Sequence, residues 1–160
     1  MNNFFILNKK FKNIAWLLVG AMFFIGDRIL KNLALNLEEA RSLDIFGSWL
    51  KFRLAFNPYI AFSLPMGGQA LNIIITIIIV VLAITIFYLI FSKNKQNSLI
   101  IPLTFILFGA ISNLLDRYCY GAVVDYFDLR YFTILNLADI MISIGVIMIL
   151  IYNIQIQKKS

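Results

Sequence analysis

Histidine is absent from this 160-residue chain, and cysteine occurs once, as Cys119. Those two counts remove Ser–His and Cys–His nucleophile pairs and zinc sites of the His-Glu-x-x-His kind, because each needs an imidazole as base or ligand. A lone cysteine also forms no disulfide within the chain. Hydrolytic chemistry must therefore rest on carboxylates, lysine or water. The chain has eight acids, and the polar residues with suggestive spacing fall in five short groups. Asp27 and Lys31 are four apart and share a helical face. Asn57 follows an alternating segment and carries both a donor and an acceptor. Gly109, Asn113 and Asp116 lie on one helical face and Arg117 follows. Asp125 comes after Gly121-Ala-Val-Val, and Asn136 and Asp139 are spaced i,i+3.

Each group has a structural reading beside the chemical one. Asp27 with Lys31 reads as a helix-orienting salt bridge at a membrane interface, and Asn57 as a turn residue. Gly109 lets a neighbouring helix approach closely. Asp116 and Arg117 read as a polar cluster that locks helix packing, with Arg117 neutralising Asp116 or holding a backbone carbonyl or a lipid headgroup. Asp139 suits a helix N-terminus through the dipole. Asp125 has no base near it in sequence. Two facing carboxylates cannot both ionise at close range, so they share a proton. The ionised one draws a proton from water while the protonated one polarises a carbonyl. Residue types alone leave three readings open: such a peptidase, an ion- or proton-coupled transporter, and a structural membrane protein.

The elements that must hold these groups are membrane helices. The chain is 61% hydrophobic with a mean hydropathy of +0.87, more apolar surface than a soluble domain of this size can hide. A span needs roughly 20 apolar residues. Four are expected, at about 14–35, 70–91, 98–115 and 134–154, in one domain covering residues 1–160. The runs of isoleucine and valine in the second are β-branched, but in lipid every backbone group must be satisfied within the segment, so a helix is expected. Pro102 falls near the start of the third span, where its missing N–H costs least.

Charge gives the expected orientation. Lys9, Lys10, Lys12, Lys93, Lys95, Lys158 and Lys159 fall on one side with no acid. The other seven basic residues and all eight acids fall on the far side, a balance of −1 against +7 within the chain's net +6. By the positive-inside rule both termini are cytoplasmic and the acids external. The basic excess is then a topology signal and gives no case for nucleic-acid binding.

Between the first two spans, a surface β segment is expected at about 43–63. In Trp49-Leu-Lys-Phe-Arg-Leu-Ala-Phe56, apolar Leu50, Phe52, Leu54 and Phe56 alternate with the rest, the period of a strand with one apolar face. The strand belongs either to a small external sheet or to the bilayer surface, apolar face down, with Trp49 near headgroup level. Pro65 and Gly67-Gly68 break the chain before the second span.

In order along the chain, Asp27-x-x-x-Lys31, Asn57-x-x-x-Ala61-Phe62, Gly109-x-x-x-Asn113-x-x-Asp116-Arg117, Val123-x-Asp125 and Asn136-x-Ala138-Asp139 resemble the motifs of bacterial lipoprotein signal peptidase, also called signal peptidase II. The resemblance implies an all-α inner-membrane aspartic peptidase of four helices with a small β-rich platform at the external surface. Its substrates are prolipoproteins bearing a diacylglyceryl-modified cysteine, cut just before that cysteine, and no cofactor or metal is implied. It makes Asp125 and Asp139 the catalytic pair. Asn57, Asn113, Asp116, Arg117 and Asn136 become substrate-binding or supporting groups, and Asp27, Lys31 and Gly109 structural supports. Two positions depart from the pattern: Tyr59 replaces a usual glycine, and Leu30 replaces a small hydroxyl residue. Membrane lipids are the other expected partners, and Cys119 is expected to be a small apolar filler. A phosphatidyl-transferase would need several acids along a helix to hold a divalent metal, and the acids here stand singly.

Overall fold

The structure is a computed structural model that describes residues 2–37, 41–58, 68–91 and 97–158. In chain order the elements are α1 (Asn2–Leu35), β1 (Ser42–Phe46), β2 (Leu50–Asn57), α2 (Gln69–Phe91), α3 (Ile100–Tyr120), β3 (Val123–Leu129), β4 (Ile134–Leu135) and α4 (Leu137–Gln157). Segments Asn13–Leu35, Gln69–Phe91, Ile100–Tyr120 and Leu137–Gln157 are long and apolar enough to cross a membrane. At 1.5 Å per residue each spans about 30 Å or more.

Helix α3 is the centre of the bundle and packs against each of the other three. It meets α4 through a glycine from each side. A Cβ on Gly109 would lie 2.6 Å from the Ala138 carbonyl oxygen, and one on Gly145 would lie 2.6 Å from that of Pro102. Gly20 does the same between α1 and α3, where a Cβ would come 2.6 Å from Thr104. Helix α2 turns Ile73, Ile77, Val80, Val81, Ile84 and Phe87 outward and buries Leu71, Ile86 and Leu89. Its outer face is suited to hydrocarbon.

The third and fourth spans are displaced from the sequence expectation. Helix α3 continues to Tyr120 and ends on Gly121, whose φ of 74° and N–H to the Arg117 carbonyl make a left-handed cap. The expected end at 115 stops short of Asp116 and Arg117, but α1 supplies Asp116 with counter-charges that keep this turn in the helix. Helix α4 begins at Leu137 and not at 134, because Ile134 and Leu135 pair with Asp128 and Phe127 as β4. Cys119 is exposed and does not fill the core.

The four strands form one antiparallel sheet in the order β1-β2-β3-β4. The stretch around Asp125 is strand β3, and Val123 to Tyr126 are all buried. A strand covered on both faces shows no polar–apolar alternation, which is why its sequence does not announce it. Trp49 lies in the turn before β2, against Tyr131 at 5.3 Å between ring centroids. The expected alternation of β2 is also interrupted. Phe52 pairs with Phe127, but Ala55, three residues on, pairs with Asp125, only two residues back, so the register shifts by one. Unbroken alternation would put Leu54 opposite Asp125 and turn Asn57 to the other face. The extra residue instead pairs Asn57 with Val123, on the same face as Asp125. Phe52 packs with Tyr126 and with Ala34 of α1, joining the sheet to the bundle. Leu30 packs against this cluster. Tyr59, Ala61, Phe62, Pro65 and Gly67, and the platform residues past position 58, lie outside the described residues.

Candidate active site

Every described residue of the five polar groups converges where the ends of α1 and α3 meet the start of α4 and the central strand β3. The foundation is ionic. Lys31 Nζ lies 3.0 Å from Asp27 Oδ2 and 2.6 Å from Asp116 Oδ2, and all three side chains are fully buried. Arg28 meets the other oxygen of Asp116 at 2.5 Å. Two acids thus balance two bases, as a buried cluster requires if it is not to strand an uncompensated charge. The interface salt bridge expected of Asp27 and Lys31 is instead part of the protein interior. The bases found on Asp116 are Arg28 and Lys31, both from α1. Arg117 is half-buried and stands near enough for its charge to act on Asp139, Asp125 and Asp116.

The same cluster holds the first turn of α4. A helix start leaves backbone N–H groups without intrahelical partners. Here the N–H of Leu137 donates to Tyr126 Oη (2.9 Å), that of Ala138 to Asp27 Oδ1 (3.2 Å), and that of Asp139 to Asn136 Oδ1 (2.8 Å). Asp139 returns a carboxylate oxygen to the Asn136 N–H, completing a capping box. Tyr126 Oη donates to Asp27 Oδ1 at 2.8 Å. Burial, and next the Asp27 charge, push the Tyr126 hydroxyl well above its ordinary range, so it keeps its proton for that bond. Ser112 Oγ donates to Asp27 Oδ2 at 2.6 Å, and the Val124 N–H donates to Asp116 Oδ2 at 3.1 Å. The frame therefore ties β3 to both carboxylates, Asp27 and Asp116, and α4 to Asp27 directly and through Tyr126.

On this frame, three amides carry the candidate pair. Asn113 Nδ2 donates to Asp139 Oδ1 at 2.8 Å, and its Oδ1 accepts from Lys31 Nζ at 2.9 Å and from Asn136 Nδ2 at 3.1 Å. Asn136 Nδ2 also donates to Asp125 Oδ1 at 2.6 Å, and Asn57 Nδ2 donates to Asp125 Oδ2 at 3.2 Å. A chain of hydrogen bonds thus runs Asp139–Asn113–Asn136–Asp125. Burial first, and then the nearby Asp139 carboxylate, raise Asp125 from an ordinary 3.8 to about 7, against the lowering bonds from Asn57 and Asn136. Such a carboxyl holds a proton up to neutral pH, the state one member of an acid–base pair needs. Beside the pair opens an apolar groove of about 580 Å³ that reaches Asn57 and Asp139 and runs along α4 to Ile147.

Residue types and spacing did not reveal Arg28, Ser112 or Tyr126. Ser112 is one helical turn before Asp116 and was readable as an extension of the Asn113–Asp116 face. Tyr126 becomes visible only once β3 is known to be a strand, since it then projects opposite Asp125. Arg28 carries no signal of its own beyond a charge inside an apolar span.

Comparison with known proteins adds context to this geometry. The family model described as signal peptidase (SPase) II matches residues 19–155. The chain is 31% identical over 154 residues to the lipoprotein signal peptidase of Lactobacillus johnsonii, covering 94% of this chain and 99% of that one. It is 36% identical over 126 residues to the lipoprotein signal peptidase of Polynucleobacter necessarius, covering 76% and 74%. Among solved structures it is similar to a bacterial membrane enzyme determined by the in meso method at 2.3 Å, with a TM-score of 0.80, 25% identity and 91% of each chain covered.

Proposed function

The chain belongs to the signal peptidase II family, and on that premise we propose that it removes the signal peptide from diacylglyceryl-modified prolipoproteins, cutting just before the lipidated cysteine with a water activated by Asp125 and Asp139. It is an aspartic-type enzyme and a multi-pass bacterial membrane protein. The observation that carries the mechanistic reading is the amide chain that ties Asp125 to Asp139 from two different elements. Nothing in packing alone requires two carboxylates to hang from one pair of asparagines.

In the proposed reaction the pair holds one proton, carried by the more buried Asp125. Asp139 takes a proton from water as the oxygen attacks the scissile carbonyl carbon. Asp125 gives its proton to the carbonyl oxygen, producing a neutral tetrahedral diol. The diol then returns a proton to Asp125, Asp139 passes its proton to the departing nitrogen, and the C–N bond breaks. Both carboxyls end as they began. Asn113 and Asn136 keep the two groups at a fixed separation, which is where most of the positioning advantage arises. Arg117 stabilises negative charge at the site. Both termini are assigned to the cytoplasm and the pair to the external face, where a lipid-anchored substrate arrives by lateral diffusion and water is at hand. The seven lysines opposite the acids support this orientation.

The test is a processing assay with purified protein and two precursors, one lipidated and one not. Wild type should cut only the lipidated form, and Asp139→Asn should cut neither while remaining folded in micelles. Full cleavage by Asp139→Asn removes the catalytic assignment. Labelling of a cysteine at position 94 from outside the cell would overturn the orientation.

A further inference from the structure

The groove below Asp139 is lined along α4 by Ile140, Ser143, Ile144 and Ile147, with Phe132 and Leu135 across from them. Ser143 is the residue that breaks the apolar character of its wall. Its side chain is exposed, yet the helix to which it belongs spans the membrane. Hydroxyls in such helices commonly return to the carbonyl four residues earlier. Thr76 and Thr85 on α2 do so, at 2.7 and 2.8 Å. Ser143 makes no such bond among the described residues. A hydroxyl with no partner among the described residues, facing an apolar groove at the edge of hydrocarbon, costs free energy unless a ligand answers it.

We propose that Ser143 is a substrate-binding residue that donates its hydroxyl to the ester carbonyl nearest the modified cysteine, with the acyl chain that follows lying in the groove toward Ile147. This rests on the function proposed above and names the group that reads the lipid. Ser143 is four residues beyond Asp139, so it lies on the same face about 6 Å deeper along the axis. In a diacylglyceryl-cysteine the first ester carbonyl carbon is eight bonds from the scissile carbonyl carbon. Those bonds span about 6–10 Å when partly folded. The two lengths agree, so a peptide carbonyl held at the acid pair sets the ester beside Ser143. An ester offers only acceptors, and the hydroxyl supplies the donor. Beyond Ser143 the wall returns to isoleucine and valine, as an alkyl chain requires.

The experiment uses the full-length enzyme in nanodiscs and two lipopeptides of one sequence, one with ester-linked and one with ether-linked chains. The ether form keeps the length and apolar surface but lacks the carbonyl. Wild type should show a KM about five- to tenfold higher for the ether substrate, the worth of one hydrogen bond. Ser143→Ala should raise KM for the ester substrate by the same factor, leave the ether KM where wild type has it, and put the loss in KM rather than kcat. Ser143→Thr, which keeps the hydroxyl, should restore the ester preference. If Ser143→Ala affects both substrates equally, Ser143 serves the signal-peptide backbone or the fold, and the inference is overturned. It is equally overturned if Ser143→Ala affects neither. Cleavage of both lipopeptides by wild type with none by Asp139→Asn shows that the function stands while Ser143 is judged separately. Full activity of Asp139→Asn, or no cleavage of either substrate by wild type, removes the function and this inference together.

Discussion

Replacing Asp125 with asparagine should abolish cleavage and at the same time stabilise the fold. Asp125 is 1% exposed, and its folded pKa is about 7 against an ordinary 3.8. Between those values the folded protein binds a proton that the unfolded chain has already released. Stability therefore falls as pH rises through that window, and the full cost is present above pH 7. Linkage gives upper limits of about 2 kcal/mol at pH 5 and about 4 kcal/mol at pH 8. Asparagine is nearly isosteric, cannot ionise, and presents its amide much as the protonated acid presents its hydroxyl. It should escape this cost. For a chain of this size 1 kcal/mol corresponds to roughly 2–4 °C in Tm, so Asp125→Asn should melt about 5 °C above wild type at pH 5 and about 10 °C above it at pH 8. Tryptophan fluorescence of both proteins in the same micelles at the two pH values would measure this. A variant that melts lower than wild type at pH 8 would show that Asp125 is held as a stabilising anion, and a difference equal at both pH values would show that folding takes up no proton there; either result makes the shared-proton argument wrong.

Three further outcomes follow from the same geometry. Asn113→Ala and Asn136→Ala each cut the link between the two carboxylates and should lower kcat by about 100-fold, measured on the lipidated precursor; the Asn136 variant should also lose about 1 kcal/mol of stability with its helix cap. Asp116→Asn leaves Lys31 and Arg28 facing one acid and should destabilise by about 3–5 kcal/mol, while Lys31→Met combined with Asp116→Leu should cost less than Asp116→Asn alone, a comparison that thermal melts can settle. Gly109→Ala would set a methyl 2.6 Å from the Ala138 carbonyl and 2.8 Å from Ile142, so α4 must shift with Asp139 and activity should fall well beyond any change in Tm.

The membrane helices were readable because a run of about 20 apolar residues has one solution in lipid. Their ends were less so. The charges at Asp116 and Arg117 look like an exit to water, and it is the pairing of Asp116 with Arg28 and Lys31 of α1 that keeps that turn inside. Strand β3 stayed hidden because Val123 to Tyr126 are buried on both faces. The polar groups themselves were visible as residue types. Their assembly was not, since it depends on contacts between α1, α3 and α4 that no local spacing encodes. Asp27 illustrates the gap: spacing pairs it with Lys31, and the structure also makes it a cap for the Ala138 N–H of α4.

The one-residue irregularity in β2 gives the strand a spare residue. Deleting residue 53 or 54 would restore unbroken alternation while leaving Ala55 opposite Asp125 and Asn57 opposite Val123, so the amide 3.2 Å from the acid would keep its place. A relative that lacks one residue here therefore need not have lost the amide, and a gap in this strand is no sign of a lost site.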